Sequence, residues 1–250
     1  VKKTDRNIPA GQAGLSAPPR LFGIETWVFD LDNTLYSPDC DLFSQIDVKM
    51  SGFVADLLGL DLIDARKLQK QYFLTYGTTL RGLMDNHGVR PEDFLDHVHD
   101  IDVSPVPPDP HLAEALAALP GRKLVFTNGS VPHAERVMKR LGIDHLMEDV
   151  FDIAAADYHP KPAAITYDRF LSHYGVEAKK AVMFEDMARN LVPAAALGMT
   201  TVWLKTAYQW GHVDHVKAAV HHETEDLVGF LRAQSGDATD ERAFIPDASS

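Results

Sequence analysis

The sequence has one cysteine, Cys40, so no disulfide can form within the chain. That fits a reducing compartment, and a cytoplasmic location is the expectation. No apolar run approaches the roughly 18 residues that a membrane-spanning helix needs, so no membrane partner is expected. Positive charge is scarce too. Lysine and arginine total 24 against 36 acidic residues, a formal net charge of −12. A surface that acidic repels a phosphate backbone and argues against nucleic acid as a partner. It also repels small phosphorylated molecules, so a site for one needs a metal ion or a few placed cations. The first twenty residues carry Lys2, Lys3 and Arg6 but no apolar core, so residues 1–20 read as a disordered arm rather than a signal peptide. The 12 histidines are scattered and none shows a His-Glu-x-x-His pattern, which gives no support to zinc. His97, His99, His212, His215, His221 and His222 are expected to be solvated or to cap helices.

What is present is a core-forming chain of 250 residues, 45% of them apolar. Thr26-Trp27-Val28-Phe29 reads as a buried strand. Residues 37–108 then change texture. Met50, Phe53, Val54, Leu57 and Leu58 recur at helical spacing, as do Leu62, Ala65, Leu68 and Phe73, and Pro91-Glu92-Asp93 looks like a helix start. No strand stands out there, so the region reads as a helical module. From His111 onward, helices alternate with short apolar strands at Lys123–Phe126, Val150–Ala155, Ala181–Phe184 and Thr200–Leu204, with a weaker strand near Ala219 and a helix from Asp226 to Arg232. That alternation predicts an α/β fold, a Rossmann-like parallel sheet core at 21–36 and 109–234, with the helical cap at 37–108 inserted after the first strand. Residues 235–250 read as a polar tail.

Ligands of open parallel sheets bind beyond the carboxyl ends of the strands. Four polar motifs sit there. The first is Asp30-Leu31-Asp32-Asn33-Thr34, in which two carboxylates can face one crevice. One can attack phosphorus, and the other can protonate the leaving oxygen. A calcium loop also begins this way, but its sixth and twelfth positions would need Gly and Glu, and hold Leu35 and Asp41. A plain turn also uses Asp and Asn. The second motif is Thr127-Asn128-Gly129-Ser130, a candidate phosphate cradle; the alternative is ordinary helix capping by Ser130. The third is Lys161 held between Pro160 and Pro162, a cation for the nucleophile and the phosphoryl oxygens. The fourth is Glu185-Asp186, with helix capping as its alternative. With Asp30 and Asp32 it makes a set of hard oxygen ligands suited to Mg²⁺. Each motif alone is ambiguous. Together they place nucleophile, cradle, cation and metal ligands at the strand ends of one sheet.

These residues also resemble a family. Asp-Leu-Asp-Asn-Thr-Leu, Thr-Asn-Gly, Lys161 in Pro-Lys-Pro, and Glu185-Asp186 with Asn190 look like the four motifs of the haloacid dehalogenase superfamily, over about residues 25–232. The resemblance implies Asp30 as nucleophile and Mg²⁺ ligand, and Asp32 as acid/base that also binds Mg²⁺ through its carbonyl. It implies Thr127 and the amides near Asn128 and Gly129 on the phosphoryl group, and Lys161 bridging phosphate and Asp30. Asp186 would ligate the metal directly and Glu185 through water. True dehalogenases of the superfamily lack a carboxylate at the position of Asp32, because halide needs no proton. Met187 stands where many relatives have Ser, so a hydrogen bond to a metal ligand is expected to be missing.

The segment Trp27 to Tyr36, with Tyr76-Gly77-Thr78-Thr79-Leu80-Arg81-Gly82-Leu83, resembles the pyrimidine 5′-nucleotidase branch. That implies a small phosphorylated partner of the UMP or CMP kind. Arg81 and His87 follow a glycine in the cap where a base or sugar could meet them; surface salt bridging is the alternative. Phosphoglycolate or sugar-phosphate hydrolysis, a phosphomutase, and a non-catalytic binding protein on the same fold remain the rival readings. Nothing in the sequence specifies an oligomeric state.

Overall fold

The computed structural model of the chain describes residues 18–206, 209–212 and 216–235. The expected tails at 1–20 and 235–250 lie almost wholly outside the described residues, as does His215.

Six parallel strands form the sheet: β1 Thr26–Phe29, β2 Arg122–Phe126, β3 Asp149–Phe151, β4 Ala181–Glu185, β5 Thr200–Leu204 and β6 His222–Thr224. Their order is β3-β2-β1-β4-β5-β6. The chain lays down β1, β2 and β3 towards one edge, then returns to add β4 beside β1. Val28 is flanked in register by Leu124 and Met183, so β1 is the central strand. The order reverses between β1 and β4, where a crevice opens at the carboxyl ends.

Alternate residues of each strand feed opposite faces. Phe29, Val125, Phe184 and Val202 pack against α5 Pro110–Ala118, α6 Val131–Leu141 and α9 Leu227–Gln234. Val28, Leu124, Phe126 and Met183 pack against α7 Ala164–Tyr174 and α8 Leu191–Ala196. Phe126 stacks on Phe170 with ring centroids 4.8 Å apart. Four helices stand between β1 and α5: α1 Leu42–Leu58, α2 Leu62–Tyr76, α3 Thr79–His87 and α4 Pro91–His99. They form a cap inserted after the first strand, so the α/β Rossmann-like architecture is the one expected. Among the described residues, no helix is long and apolar enough to cross a membrane.

Two local expectations need correction. The strand expected over Val150–Ala155 stops at Phe151, because the Asp152 carboxylate accepts from the N–H groups of Ala155 and Val131 and turns the chain. The strand expected near Ala219 lies at His222–Thr224, and Lys217–Ala219 form a 3₁₀ turn. Within the helical module, Thr78 caps a helix over Thr79–His87 by accepting from the N–H of Arg81.

Candidate active site

Asp30 leaves β1 without a break. Its N–H donates to the Phe184 carbonyl at 2.9 Å, extending the β1–β4 ladder by one residue. The carboxylate therefore emerges at the point where the strand order reverses. Lys161 meets it there, 1% exposed. The ammonium donates to Asp30 Oδ1 at 2.7 Å, to Glu185 Oε2 at 2.7 Å and to the Phe126 carbonyl at 2.6 Å. All three of its hydrogens are thereby used, so Lys161 serves the carboxylates first. Thr34 Oγ1 donates to Asp30 Oδ2 at 3.0 Å and accepts from the N–H of Asp186 at 3.1 Å, tying the β1 and β4 loops together.

The Asn128 side chain spans the next gap. Its Oδ1 accepts from the N–H of Lys161 at 2.8 Å, and its Nδ2 donates to the Lys161 carbonyl at 3.3 Å. It holds the lysine loop. Thr127 Oγ1 accepts from the N–H of Gly129 at 2.9 Å. A Cβ on Gly129 would lie 3.2 Å from that hydroxyl, so glycine suits the tight turn. Ser130 stands at the start of α6, but its hydroxyl does not cap the helix; it pairs with His99 Nδ1 at 2.9 Å.

The charges do not balance. Asp30, Glu185 and Asp186 place oxygens within 4.8 Å of one another, against one buried lysine. Burial and the Glu185 charge push the Asp30 carboxyl from its ordinary 3.8 up to about 7, despite Lys161. Burial, then Glu185 and Asp30, push Asp186 well up as well. Asp186 Oδ2 is buried without a hydrogen-bond partner among the described residues, in line with the donor expected to be missing at Met187. An orphaned carboxylate oxygen among crowded carboxylates fits a hard divalent cation such as Mg²⁺. Glu185 is better satisfied: Lys161 holds one oxygen, and Asn190 Nδ2 at 2.9 Å holds the other.

A raised carboxyl pKa gives the folded state extra protons. The stability tied to Asp30 is thus full below pH 3.8 and lost as pH rises through about 7. A divalent cation held by these oxygens would relieve that penalty. Mg²⁺, if it is that cation, would at about 100 times its dissociation constant add about 2.7 kcal/mol, a rise in Tm of roughly 5–10 °C for a chain of this size. The rise is expected to be larger at pH 8 than at pH 5 and absent in Asp186→Asn, as read by thermal melting with and without Mg²⁺. An equal rise in the variant removes Asp186 from the ligand set.

Asp32 lies across the crevice. Its Oδ1 takes two bonds, from Tyr36 Oη at 2.7 Å and from His133 Nε2 at 2.9 Å. Burial alone would raise its pKa, but His133 and Tyr36 override it and hold the carboxyl down at about 2. His133 is fully buried, and His99 stacks on it from α4 at 4.6 Å with the planes 10° apart. Burial, and the neighbouring His133, hold His99 down at about 3. The expectation that His99 is solvated or caps a helix is therefore wrong: it is buried, with its Nδ1 paired to the Ser130 hydroxyl. The sequence reading did not single out His133. Its signal was faint: a histidine heading the buried stripe Ala134, Val137, Met138, Leu141 of α6.

Above these groups a cleft of about 1100 Å³, its open mouth included, separates cap from core. Asp30, Asp32, Thr127, Asn128, Gly129, Lys161, Glu185 and Asp186 all line it. The cap wall is mainly apolar, with Phe43, Met50, Phe73 and Phe94. Thr78, Thr79 and His99 interrupt it, as does a polar patch in which Gln69 Nε2 donates to Asp47 Oδ1 at 2.7 Å, Lys70 Nζ donates to the same oxygen, and Gln69 Oε1 accepts from Ser51 at 2.6 Å. Gly77 has φ +87°, and a Cβ there would lie 3.0 Å from Pro160 Cγ, so the end of α2 comes close over the lysine loop only as glycine. Arg81 makes the salt bridge given as its alternative. It is not among the cleft residues; its Nε pairs with Asp85 one turn along α3 at 3.0 Å. His87 instead bonds the Tyr72 hydroxyl at 2.7 Å.

Comparison with known proteins agrees with this geometry. The chain is 28% identical over 222 residues to phosphate metabolism protein 8 of Saccharomyces cerevisiae, with 82% of this chain covered. It spans 65% of that relative's length. Among solved structures, a HAD phosphatase from Thermococcus onnurineus matches with a TM-score of 0.57 at 18% identity, over 84% of this chain and 96% of that one. CbbY from Rhodobacter sphaeroides, in complex with phosphate, matches with a TM-score of 0.58 at 18% identity, over 83% and 99%. At such identity these two speak for the fold. A family model for haloacid dehalogenase-like hydrolases matches residues 24–198, a stretch that runs from β1 through the lysine loop to the acidic pair. The chain belongs to the haloacid dehalogenase-like hydrolase family.

Proposed function

We propose that this hydrolase is a Mg²⁺-dependent phosphomonoesterase, acting on pyrimidine nucleoside 5′-monophosphates of the UMP and CMP kind. The observation that carries the reading is the meeting of Asp30, Asp32, Lys161 and Asp186 around one crevice. A carboxylate nucleophile and a second carboxylate beyond it suit an ester whose leaving oxygen needs a proton.

An Asp30 oxygen attacks phosphorus, the bond from phosphorus to the ester oxygen breaks, and an aspartyl phosphate forms. Asp32 gives the departing oxygen its proton, then takes one from the water that hydrolyses the aspartyl phosphate. Asp32 rests ionised, so the proton it gives is first taken up from solvent, as the negative phosphoryl group bound beside it raises its pKa towards that of a donor. Lys161 keeps Asp30 in place and offsets its charge. Asp30, Asp186, Glu185 and the Asp32 carbonyl would hold Mg²⁺, which supplies charge neutralisation for the phosphoryl oxygens.

The cap wall supports the nucleotide. Aromatic and apolar side chains beside a polar patch of amide, carboxylate and lysine suit a flat, nitrogen-bearing base better than phosphoglycolate or a sugar. The name of the yeast relative, which refers to phosphate metabolism, is in keeping with phosphate chemistry. A panel of nucleotides, sugar phosphates and phosphoglycolate, assayed for free phosphate with Mg²⁺, tests it. UMP and CMP are expected to lead. Turnover of sugar phosphates or phosphoglycolate with UMP and CMP untouched overturns the substrate, and a sugar-phosphate isomer in place of free phosphate points to a mutase.

A further inference from the structure

Asp32 is held in an asymmetric way. Both donors that reach it, Tyr36 and His133, bond to Oδ1. Oδ2 accepts no hydrogen bond from the described residues. It faces the Thr127–Gly129 turn, where a Cβ on Gly129 would lie 3.7 Å from it. One oxygen is thus anchored and the other is turned to the place where the ester oxygen must sit.

Burying His133 there has a cost that packing alone does not explain. The side chain is 0% exposed, and its Nδ1 is buried with no hydrogen-bond partner among the described residues. An unpaired buried polar atom costs roughly 1–3 kcal/mol. A leucine would fill the same stripe of α6 without that penalty. The ring's other nitrogen makes the one contact a leucine could not. An ionised carboxylate only accepts, so Nε2 carries the hydrogen. His99 stacks on the ring from the cap, and Ser130 fixes His99 in turn, so the ring plane is set from both domains. His133 itself is not among the residues lining the cleft.

We propose that His133 is the positioning residue of Asp32: its Nε2–H fixes Oδ1 so that Oδ2 faces the ester oxygen. This rests on the phosphomonoesterase reading above. Proton transfer by a well-placed side chain contributes about 10²–10⁴-fold, and a misaligned donor forfeits part of that.

The test compares two esters with the full chain and Mg²⁺. The alkoxide of a nucleoside monophosphate needs a proton to leave; the nitrophenolate of p-nitrophenyl phosphate does not. In His133→Leu, kcat/KM for the nucleotide is expected to fall about 10- to 100-fold, while kcat/KM for the nitrophenyl ester changes by less than about 3-fold. Hydrolysis of the aspartyl phosphate still needs Asp32 as base. The nitrophenyl ester therefore gives a rapid burst of one nitrophenolate per site followed by slow turnover, with kcat and KM falling together. His133→Gln places an amide N–H near Nε2 and is expected to restore most of the nucleotide rate. Melting curves check the fold. Should the leucine variant not fold, His133→Asn, whose amide falls short of Oδ1, is read in the same way. Equal losses of kcat/KM on both esters, no loss on either, or no recovery with glutamine overturns the inference. Wild-type protein that releases phosphate from neither ester overturns the phosphomonoesterase reading instead.

Discussion

Asp30→Asn is expected to abolish phosphate release, by at least about 10⁴-fold, while the protein stays folded. The loss has the size seen when a covalent nucleophile is removed, since the amide oxygen cannot form a stable bond to phosphorus. The fold should survive for an electrostatic reason. Lys161 keeps Glu185 as its ion pair, and the amide Oδ1 can still accept from the ammonium. The substitution removes one of three crowded carboxylates, the one whose pKa is pushed up to about 7 by burial and Glu185. The metal-free variant is therefore expected to melt at the same temperature as the parent or higher. Mass spectrometry of the intact variant excludes reversion of the amide to the acid. Undiminished phosphate release from verified Asp30→Asn protein would remove Asp30 as nucleophile.

The same crowding explains why the core of the site was legible in the sequence. In a parallel sheet every strand ends on the same side, so Asp30 and Thr127, each directly after an apolar strand, and Glu185, the last residue of one, had to converge. Lys161 was legible through its prolines and its place before α7. Thr34 stood inside the first motif but showed no role of its own until its hydroxyl was seen to bridge Asp30 and Asp186.

The cap was less legible, because its contribution depends on which helix face looks down. Arg81 belongs to a suggestive motif, yet Asp85 one turn away captures it on α3. Gln69, Asp47 and Phe94 line the cleft from three different helices, and no local pattern sets them apart from other buried residues. The His133–Asp32 bond joins residues 101 positions apart, and the His99 stack joins the cap to the core. Contacts of that kind need the tertiary structure. Strand ends failed for a smaller reason: the Asp152 side chain competes with the ladder and ends β3 early.

Lys161→Met should produce the largest change in stability. The methionine matches the lysine stem in length, so packing is largely kept and the lost charge is what is measured. Without the ammonium, Asp30 and Glu185 each lose a bond of 2.7 Å, and the Phe126 carbonyl loses its donor of 2.6 Å. Removing one partner of a buried ion pair costs about 3–5 kcal/mol, or roughly 6–20 °C in Tm here. With Lys161 gone, the pKa of Asp30 rises further, so the protein gains from protonation. The deficit is therefore expected to shrink at pH 5 and to be greatest at pH 8. The double variant Asp30→Asn with Lys161→Met should recover part of the loss, since one of the stranded carboxylates is then neutral. Melting of the four proteins at both pH values gives the coupling directly, as the departure from additivity. Strict additivity, or Lys161→Met protein as stable as the parent at pH 8, would mean that the lysine does not hold the carboxylates together. The recovered double variant should remain inactive. On the proposed mechanism, stability and turnover are set by the same three groups, but only turnover requires Asp30 to stay a charged nucleophile.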